Sequence, residues 1–155
     1  MFQLSCLIRT LFNLGTPTRA SWKCCRTGAS VAGNEAAGHS GVVLIVEDDV
    51  HLRLVTASNL RDAGFEVIEA ADAAEAVFVL NSVTVDALIS YVNIPGGMDG
   101  IGLAKWVRSR GLATEIILTS AAQPSPGTTE ECGSFLAKPY TDRDVQHLLR
   151  RVLSR

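Results

Sequence analysis

The sequence predicts an α/β protein with a doubly wound, five-stranded parallel sheet. Three observations support this prediction. From about residue 41 onward, short apolar runs alternate with amphipathic stretches, as they do in βα units. The run EIILTS (115–120) is apolar at consecutive positions, which is typical of a parallel strand covered on both faces. The length of 155 residues and the hydrophobic content of 47% suit a single ordinary domain.

The amino-terminal part of this pattern contains three strands and two helices. The strands are predicted at VVLIV (42–46), FEVIEA (65–70) and ALISY (87–91). The first helix is predicted from about Val50 to Ala63, where Gly64 ends it. The second helix begins after Asp72, a potential cap with Glu75 three residues on, and continues to about Leu80. Apolar residues of the first helix recur roughly every three or four positions, with spacings of three to five: Leu52, Val55, Leu60 and Ala63.

The carboxyl-terminal part continues the alternation, with one interruption. A helix is predicted from about Gly100 to Arg110, followed by the strands EIILTS (115–120) and SFLA (134–137) and a last helix from Thr141 to about Leu153. The inward positions expected in the two helices are Leu103, Ala104 and Val107, and Val145, Leu148, Leu149 and Val152. Between the two strands, AAQPSPGTTEECG contains Pro124, Pro126 and Gly127, which break helices. The fourth helix is therefore expected to be shortened or missing, with at most a turn around residues 129–132.

Residues 1–40 differ from the rest of the chain in charge and pattern. They carry four basic residues and one acid, a net charge of +3, whereas the remainder carries ten basic and fifteen acidic residues, a net charge of −5. No helical or strand period is present there, so we expect a disordered extension. A transit peptide and a mis-assigned translation start are the alternatives. The predicted domain is 41–155, and no apolar run approaches the ~18 residues that a membrane-spanning helix needs.

Polar residues follow four of the predicted strands at their carboxyl ends. Glu47 and Asp48 follow the first strand, and Asn93 lies just beyond the third. Ligand sites of open parallel sheets form at this edge. Carboxylates together with a carbonyl-bearing turn are ligands that Mg²⁺ prefers. Across from them, Thr119 at the end of the fourth strand and Lys138 after the fifth strand would suit phosphoryl oxygens.

These strings, in this order, resemble the receiver domain of bacterial two-component response regulators over residues 42–153. LIVEDD resembles the family's acidic pair at Glu47 and Asp48, and VNIPGGMDG resembles the turn after its phosphoacceptor strand. ILTSA supplies the family's threonine at Thr119, and FLAKPY supplies its lysine at Lys138. The resemblance implies a flavodoxin-like receiver fold and a Mg²⁺ site at Glu47, Asp48 and the Asn93 carbonyl. It also implies that Phe135 is the aromatic residue that reorients on activation, although an inward core role suits Phe135 equally well.

The sequence departs from the family at the phosphoacceptor position, two residues before Asn93. Family members carry there the aspartate that takes a phosphoryl group from a histidine kinase, and this chain carries Tyr91. With a pKa near ~10, only about one tyrosine in a thousand is ionised at pH 7, and the neutral oxygen is a poor nucleophile. Tyr91 also cannot replace a carboxylate as a Mg²⁺ ligand, so we expect Mg²⁺ binding to be weak or lost.

Other carboxylates near this position have local structural roles in our interpretation. Asp49 is expected to cap the first helix and Asp99 the third. Asp86 lies at the far end of the third strand. Neither Asp86 nor Asp99 is a good substitute acceptor.

The resemblance therefore predicts a stand-alone cytoplasmic receiver-like signalling domain that is not phosphorylated by the usual route. Its expected partner is a histidine kinase or another signalling protein. We expect no enzymatic activity, no nucleic-acid partner and no membrane association. The sequence does not predict the oligomeric state. The main alternative is a conventional phospho-accepting receiver inactivated by a recent Asp-to-Tyr change, which needs one base. A flavodoxin-like flavin-binding protein is a distant alternative, because the acids after the first strand would repel a phosphate.

Overall fold

The computed structural model describes residues 41–122 and 131–154. In chain order the elements are β1 (Val42–Val46), α1 (Val50–Asp62), β2 (Glu66–Ala70), α2 (Ala73–Ser82), β3 (Ala87–Tyr91), α3 (Gly100–Ser109), β4 (Glu115–Ser120), β5 (Ser134–Ala137) and α4 (Asp142–Leu153). The predicted bounds agree with these to within one or two residues. No helix among these described residues is long and apolar enough to cross a membrane.

The five strands form one parallel sheet in the order β2-β1-β3-β4-β5. The order reverses at β1, since the chain moves from β1 to one edge and then returns to fill the other side. This is the doubly wound arrangement, and it confirms the predicted fold class.

Two apolar layers hold the helices against the sheet. Successive residues of a strand point to opposite faces, so Leu44 and Val46 pack towards α2 and α3, while Val43 and Ile45 pack towards α1 and α4. The predicted inward residues of α3 and α4 are all buried. The sheet is thus covered on both faces, as the apolar character of β4 predicted.

The buried face of α1 differs from the predicted one at Val55. The Val55 side chain is 56% exposed, whereas Thr56, Ala57 and Leu60 are buried. Ala57 and Leu60 lie three residues apart and share one face of the helix. The buried face of α1 is thus rotated relative to the predicted one, and Val55 lies in solvent. The hydrophobicity of the residues alone does not reveal this rotation.

Helix ends follow the predicted capping chemistry. The carboxylates of Asp49, Asp72 and Asp99 accept hydrogen bonds from the backbone N–H three residues on, at 2.9, 2.9 and 2.7 Å. After α1, Gly64 adopts a φ of 92°, which side chains disfavour, and this explains why the helix ends there.

Two predictions concern residues outside the described ranges. The predicted disorder of residues 1–40 and the predicted helix break at Pro124, Pro126 and Gly127 lie outside the described residues. Of the segment between β4 and β5, Glu131 and Cys132 are described and are helical.

Candidate functional site

The carboxyl ends of β1, β3, β4 and β5 bring the predicted site residues to one edge of the sheet. Tyr91, the last residue of β3, is the register partner of Thr119 in β4. The backbone continues this pairing, because the N–H of Val92 donates to the Thr119 carbonyl at 2.9 Å. On the next strand, the N–H of Lys138 donates to the Ser120 carbonyl at 2.8 Å. The sheet ladder therefore fixes the backbone on which three of the site residues stand.

Glu47 and Lys138 form an ion pair at the centre of this edge. Lys138 Nζ donates to Glu47 Oε2 at 3.0 Å, and the Glu47 residue is only 5% exposed. Burial raises the pKa of the Glu47 carboxyl above its ordinary value, and the hydrogen bond and charge of Lys138 oppose this rise. The lysine therefore supplies a counter-charge to a buried carboxyl group.

The same ammonium group lies over the ring of Tyr91. The distance from Lys138 Nζ to the centre of the ring is 4.0 Å, well within the range of a cation–π contact. Lys138 is thus held between an anionic oxygen and an aromatic face. The last residue of β3 therefore presents an aromatic ring to the lysine, and not a second carboxylate.

The other predicted metal-site residues lie on the surface. Asp48 and Asn93 are exposed, and the carboxylate of the adjacent Asp49 accepts from the N–H of Leu52 as the α1 cap. Residues 41–122 and 131–154 contain no group of three His, Cys, Asp or Glu side chains that could hold a metal ion. Mg²⁺ prefers several oxygen ligands, and here the buried carboxylate is already paired with Lys138, so these residues do not fit the ion well.

Thr119 is joined by a residue that the sequence analysis missed, Tyr140. The Thr119 side chain is buried, and the phenol of Tyr140 is half-buried beside it. Burial raises the pKa of Tyr140, while the positive charge of Lys138 and a hydrogen bond with Thr119 oppose the rise. The motif KPY contained Tyr140, but its position two residues after the site lysine gave no signal by itself.

Arg53 is a second residue that was missed, and it supports the backbone of the acidic loop. Its guanidinium donates to the Glu47 carbonyl at 2.6 Å, and its Nε lies 3.8 Å from Glu69 Oε2. Arg53 is half-buried four residues before Ala57, on the face of α1 that packs on the sheet. A charged residue on a buried helix face could have indicated this role.

The turn after β3 is packed tightly against the end of that strand. A Cβ atom at Gly100 would lie 2.2 Å from the Tyr91 carbonyl oxygen, so only glycine fits the first position of α3. Asp99 caps that helix, and Asp86 accepts from the N–H of Val42 at the opposite end of the sheet. Both carboxylates therefore have local structural partners, as the sequence predicted for Asp99.

Phe135 lies away from this cluster, in the middle of β5. Its ring is half-buried and packs against the apolar layer beneath α2 and α3. Its register partner in β4 is Leu118. The next residue, Leu136, is the register partner of Thr119. Phe135 is therefore connected to the site through the β4–β5 ladder.

Comparison with known proteins gives a consistent result. The response regulator receiver domain family matches residues 43–150. The transcriptional regulatory protein PdtaR of Mycobacterium tuberculosis is 32% identical over 117 residues, which cover 73% of this chain and 57% of that protein. The matched segment spans from about a quarter to just over half of the length of such curated relatives.

Solved structures with this fold include two response regulators. The Francisella response regulator 1452 receiver domain superposes with a TM-score of 0.69 at 23% identity and covers 74% of this chain and 98% of that one. TrrA from Thermotoga maritima, solved in complex with Mg²⁺–BeF, has a TM-score of 0.67 at 21% identity and covers 72% of this chain and 98% of that one.

Proposed function

The chain belongs to the response regulator receiver domain family, and from this premise we propose that it is a signalling domain that is not phosphorylated by the usual route. The family serves two-component signalling. One observation carries the proposal: at the phosphoacceptor position the ring of Tyr91 lies 4.0 Å from Lys138 Nζ, and Lys138 is paired with Glu47. We therefore propose that the domain acts as a pseudo-receiver, whose output does not depend on an acyl phosphate.

The chemistry of the two side chains supports this proposal. A phosphoryl group transferred to a receiver needs an anionic oxygen nucleophile, and a neutral phenol offers a poor one. The site lysine would need to reach phosphoryl oxygens, whereas Lys138 already has an anionic and an aromatic partner. Phosphotransfer at Tyr91 would have to break both contacts.

We further propose that Mg²⁺ binds weakly or not at all. The third carboxylate of the acidic cluster is replaced by Tyr91, and Glu47 is engaged by Lys138. Asp48 and the Asn93 carbonyl remain, and both residues are exposed to competing water. Charge compensation during phosphoryl transfer relies on such an ion, so weak Mg²⁺ binding and loss of the acceptor act in the same direction.

Partners of such a domain are proteins. We propose a histidine kinase or another signalling protein of the cytoplasm, recognised through surface contacts, and no catalytic activity of the domain itself. The DNA-binding and regulatory functions named for the curated relatives belong to chains longer than the matched segment, so they are not transferred here.

A conventional receiver silenced by a recent Asp-to-Tyr change is the second candidate. One observation favours it: Glu47, Thr119 and Lys138 stand at the expected strand ends, so a single substitution separates this site from a complete one. Both candidates share the fold and differ in what happens when the carboxylate is restored.

The test compares the full-length protein with its Tyr91→Asp and Tyr91→Phe variants in the presence of Mg²⁺ and beryllium fluoride, a phosphoryl analogue. Backbone amide shifts of Thr119 and Lys138 are followed by NMR. We expect no response from the native chain or from Tyr91→Phe. A response of the native chain would overturn the proposal. A response of Tyr91→Asp alone favours the silenced receiver, and silence of all three favours an established phosphate-independent module.

A further inference from the structure

A groove on the outer side of the sheet lies between β5 and α4. Its volume is about 590 Å³, and its residues come from these two elements. The apolar part consists of Phe135, Leu136 and Leu148. None of the groove residues belongs to the cluster of Glu47, Tyr91 and Lys138.

One wall of this groove is basic. Arg143, His147 and Arg151 follow each other at four-residue intervals, so they lie along one side of α4. Neither arginine forms an ion pair with another residue of the described ranges. The one acid that lines the groove, Asp144, accepts hydrogen bonds from the N–H and hydroxyl of the N-cap residue Thr141 at 2.8 and 2.7 Å and is engaged in the capping box of the helix. The groove thus combines an apolar floor with positive charge that has no partner within those ranges.

The exposed face of α1 has the complementary character. Val50, Leu54 and Val55 are 52%, 51% and 56% exposed, and they make up three of the four exposed large hydrophobic side chains among the described residues. Val50 and Leu54 are four residues apart and lie on the same side of the helix. An exposed carboxylate stands at each end of this face, Asp48 before it and Asp62 at the end of α1, whereas Asp49 is engaged as the helix cap.

We propose that the α1 face of one copy of the chain docks into the β5–α4 groove of a second copy. An apolar helix face seated in an apolar groove is a common mode of recognition. The carboxylates that flank α1 match the basic wall in charge, which favours this pairing over contact between two α1 faces or two grooves. The two surfaces share no residue, so each copy presents both halves.

Such a contact is heterologous, because different surfaces meet, and it therefore continues from copy to copy unless the rotation closes a ring. One helix face and one groove form an interface smaller than the ~1,600 Å² of a typical stable complex, so the association is weak. It also weakens as salt screens the charged wall.

The test measures the mass of the full-length protein by sedimentation equilibrium up to about 1 mM, where weak association of this size is populated. For the native chain we expect the average mass to rise with concentration, either beyond the mass of a dimer or to a plateau at the mass of a closed ring. At high salt the average mass should fall. Leu54→Glu removes the docking face and Arg151→Glu reverses the basic wall, so each variant alone should be monomeric.

Mixing the two variants provides the sharpest result. Leu54→Glu keeps an intact groove and Arg151→Glu keeps an intact α1 face, so the mixture should form a one-to-one dimer and grow no further. Matched controls are Phe78→Glu, at an exposed apolar residue of α2, and Arg150→Glu, a charge reversal beside the groove that does not line it. Both controls should associate as the native chain does, and circular dichroism verifies that all four variants fold.

Three outcomes overturn the proposal. A native chain that stays monomeric over the whole concentration range has no such contact. A mixture of the two variants that remains monomeric shows that the two surfaces do not meet each other. Association lost in Leu54→Glu but retained in Arg151→Glu indicates an α1–α1 dimer instead. None of these results depends on whether Tyr91 accepts a phosphoryl group, so the test is separate from that of the proposed function.

Discussion

Replacement of Lys138 by methionine should destabilise the protein by about 3 kcal/mol at pH 7, because it leaves the Glu47 carboxylate buried without a counter-charge. Methionine keeps the length and apolar character of the lysine chain. The Lys138 side chain is 22% exposed and that of Glu47 is 7% exposed, so most of the change concerns the electrostatic contact and little of it concerns packing.

The magnitude follows from two limits. Removal of one partner of a fully buried ion pair costs ~3–5 kcal/mol, and the partial exposure of Lys138 places this pair at the lower end. An unpaired Glu47 can instead take up a proton, which from an ordinary pKa of 4.5 costs about 3.4 kcal/mol at pH 7. This second route sets a ceiling on the electrostatic loss, and the ceiling falls to about 1.4 kcal/mol at pH 5.5.

Urea denaturation of the full-length native chain and of Lys138→Met, at both pH values, measures this loss. The stability difference should shrink by at least half on acidification, because a carboxyl that is neutral in the folded state no longer needs the lysine. The double variant Glu47→Gln/Lys138→Met is the control and should recover most of the loss, since glutamine carries no charge. A difference below about 1 kcal/mol at pH 7, or one that does not change with pH, would refute this account of the ion pair.

Two further predictions concern the helix ends. Gly100→Ala should destabilise the protein by more than about 2 kcal/mol in the same denaturation assay, because the new methyl group would meet the Tyr91 carbonyl. The control is Gly102→Ala, whose methyl group would meet only side-chain atoms and should therefore cost far less stability. Equal losses in the two variants would argue against the close contact at Gly100. The hydrogen bonds of Thr141 lower the pKa of Asp144, so its stabilising effect is present above the ordinary pKa of 3.8 and is lost as pH falls through the lower folded value. Asp144→Asn should therefore flatten the acid limb of the stability profile, and an unchanged limb would contradict the capping role.

Much of the fold followed from local rules that the structure keeps. Strand positions, the caps at Asp49, Asp72 and Asp99 and the buried stripes of α3 and α4 depend on short-range chemistry, so one sequence was enough to predict them. Val55 was the exception in α1. Its exposure depends on which face of α1 packs on the sheet, and that is a property of tertiary packing.

The site was predictable as a set of strand ends but not as a set of contacts. Motif order placed Glu47, Tyr91, Thr119 and Lys138 at one edge, because parallel strands end together. Which partner Lys138 takes depends on where the bulky ring of Tyr91 fits, and spacing cannot reveal this. Tyr140 and Arg53 were missed for the same reason, since each reaches the site through a side chain whose direction is set by neighbouring elements.

The strand order has a consequence for the folding kinetics. The β1–β2 and β1–β3 pairs join segments within the first half of the described chain, whereas the Glu47–Lys138 contact closes a separation of 91 residues. Long loop closures lose more chain entropy, so contacts of this kind usually form after the more local pairings. We therefore expect a φ-value near 0 for the ion pair: loss of Lys138 would leave the refolding rate almost unchanged and would accelerate unfolding.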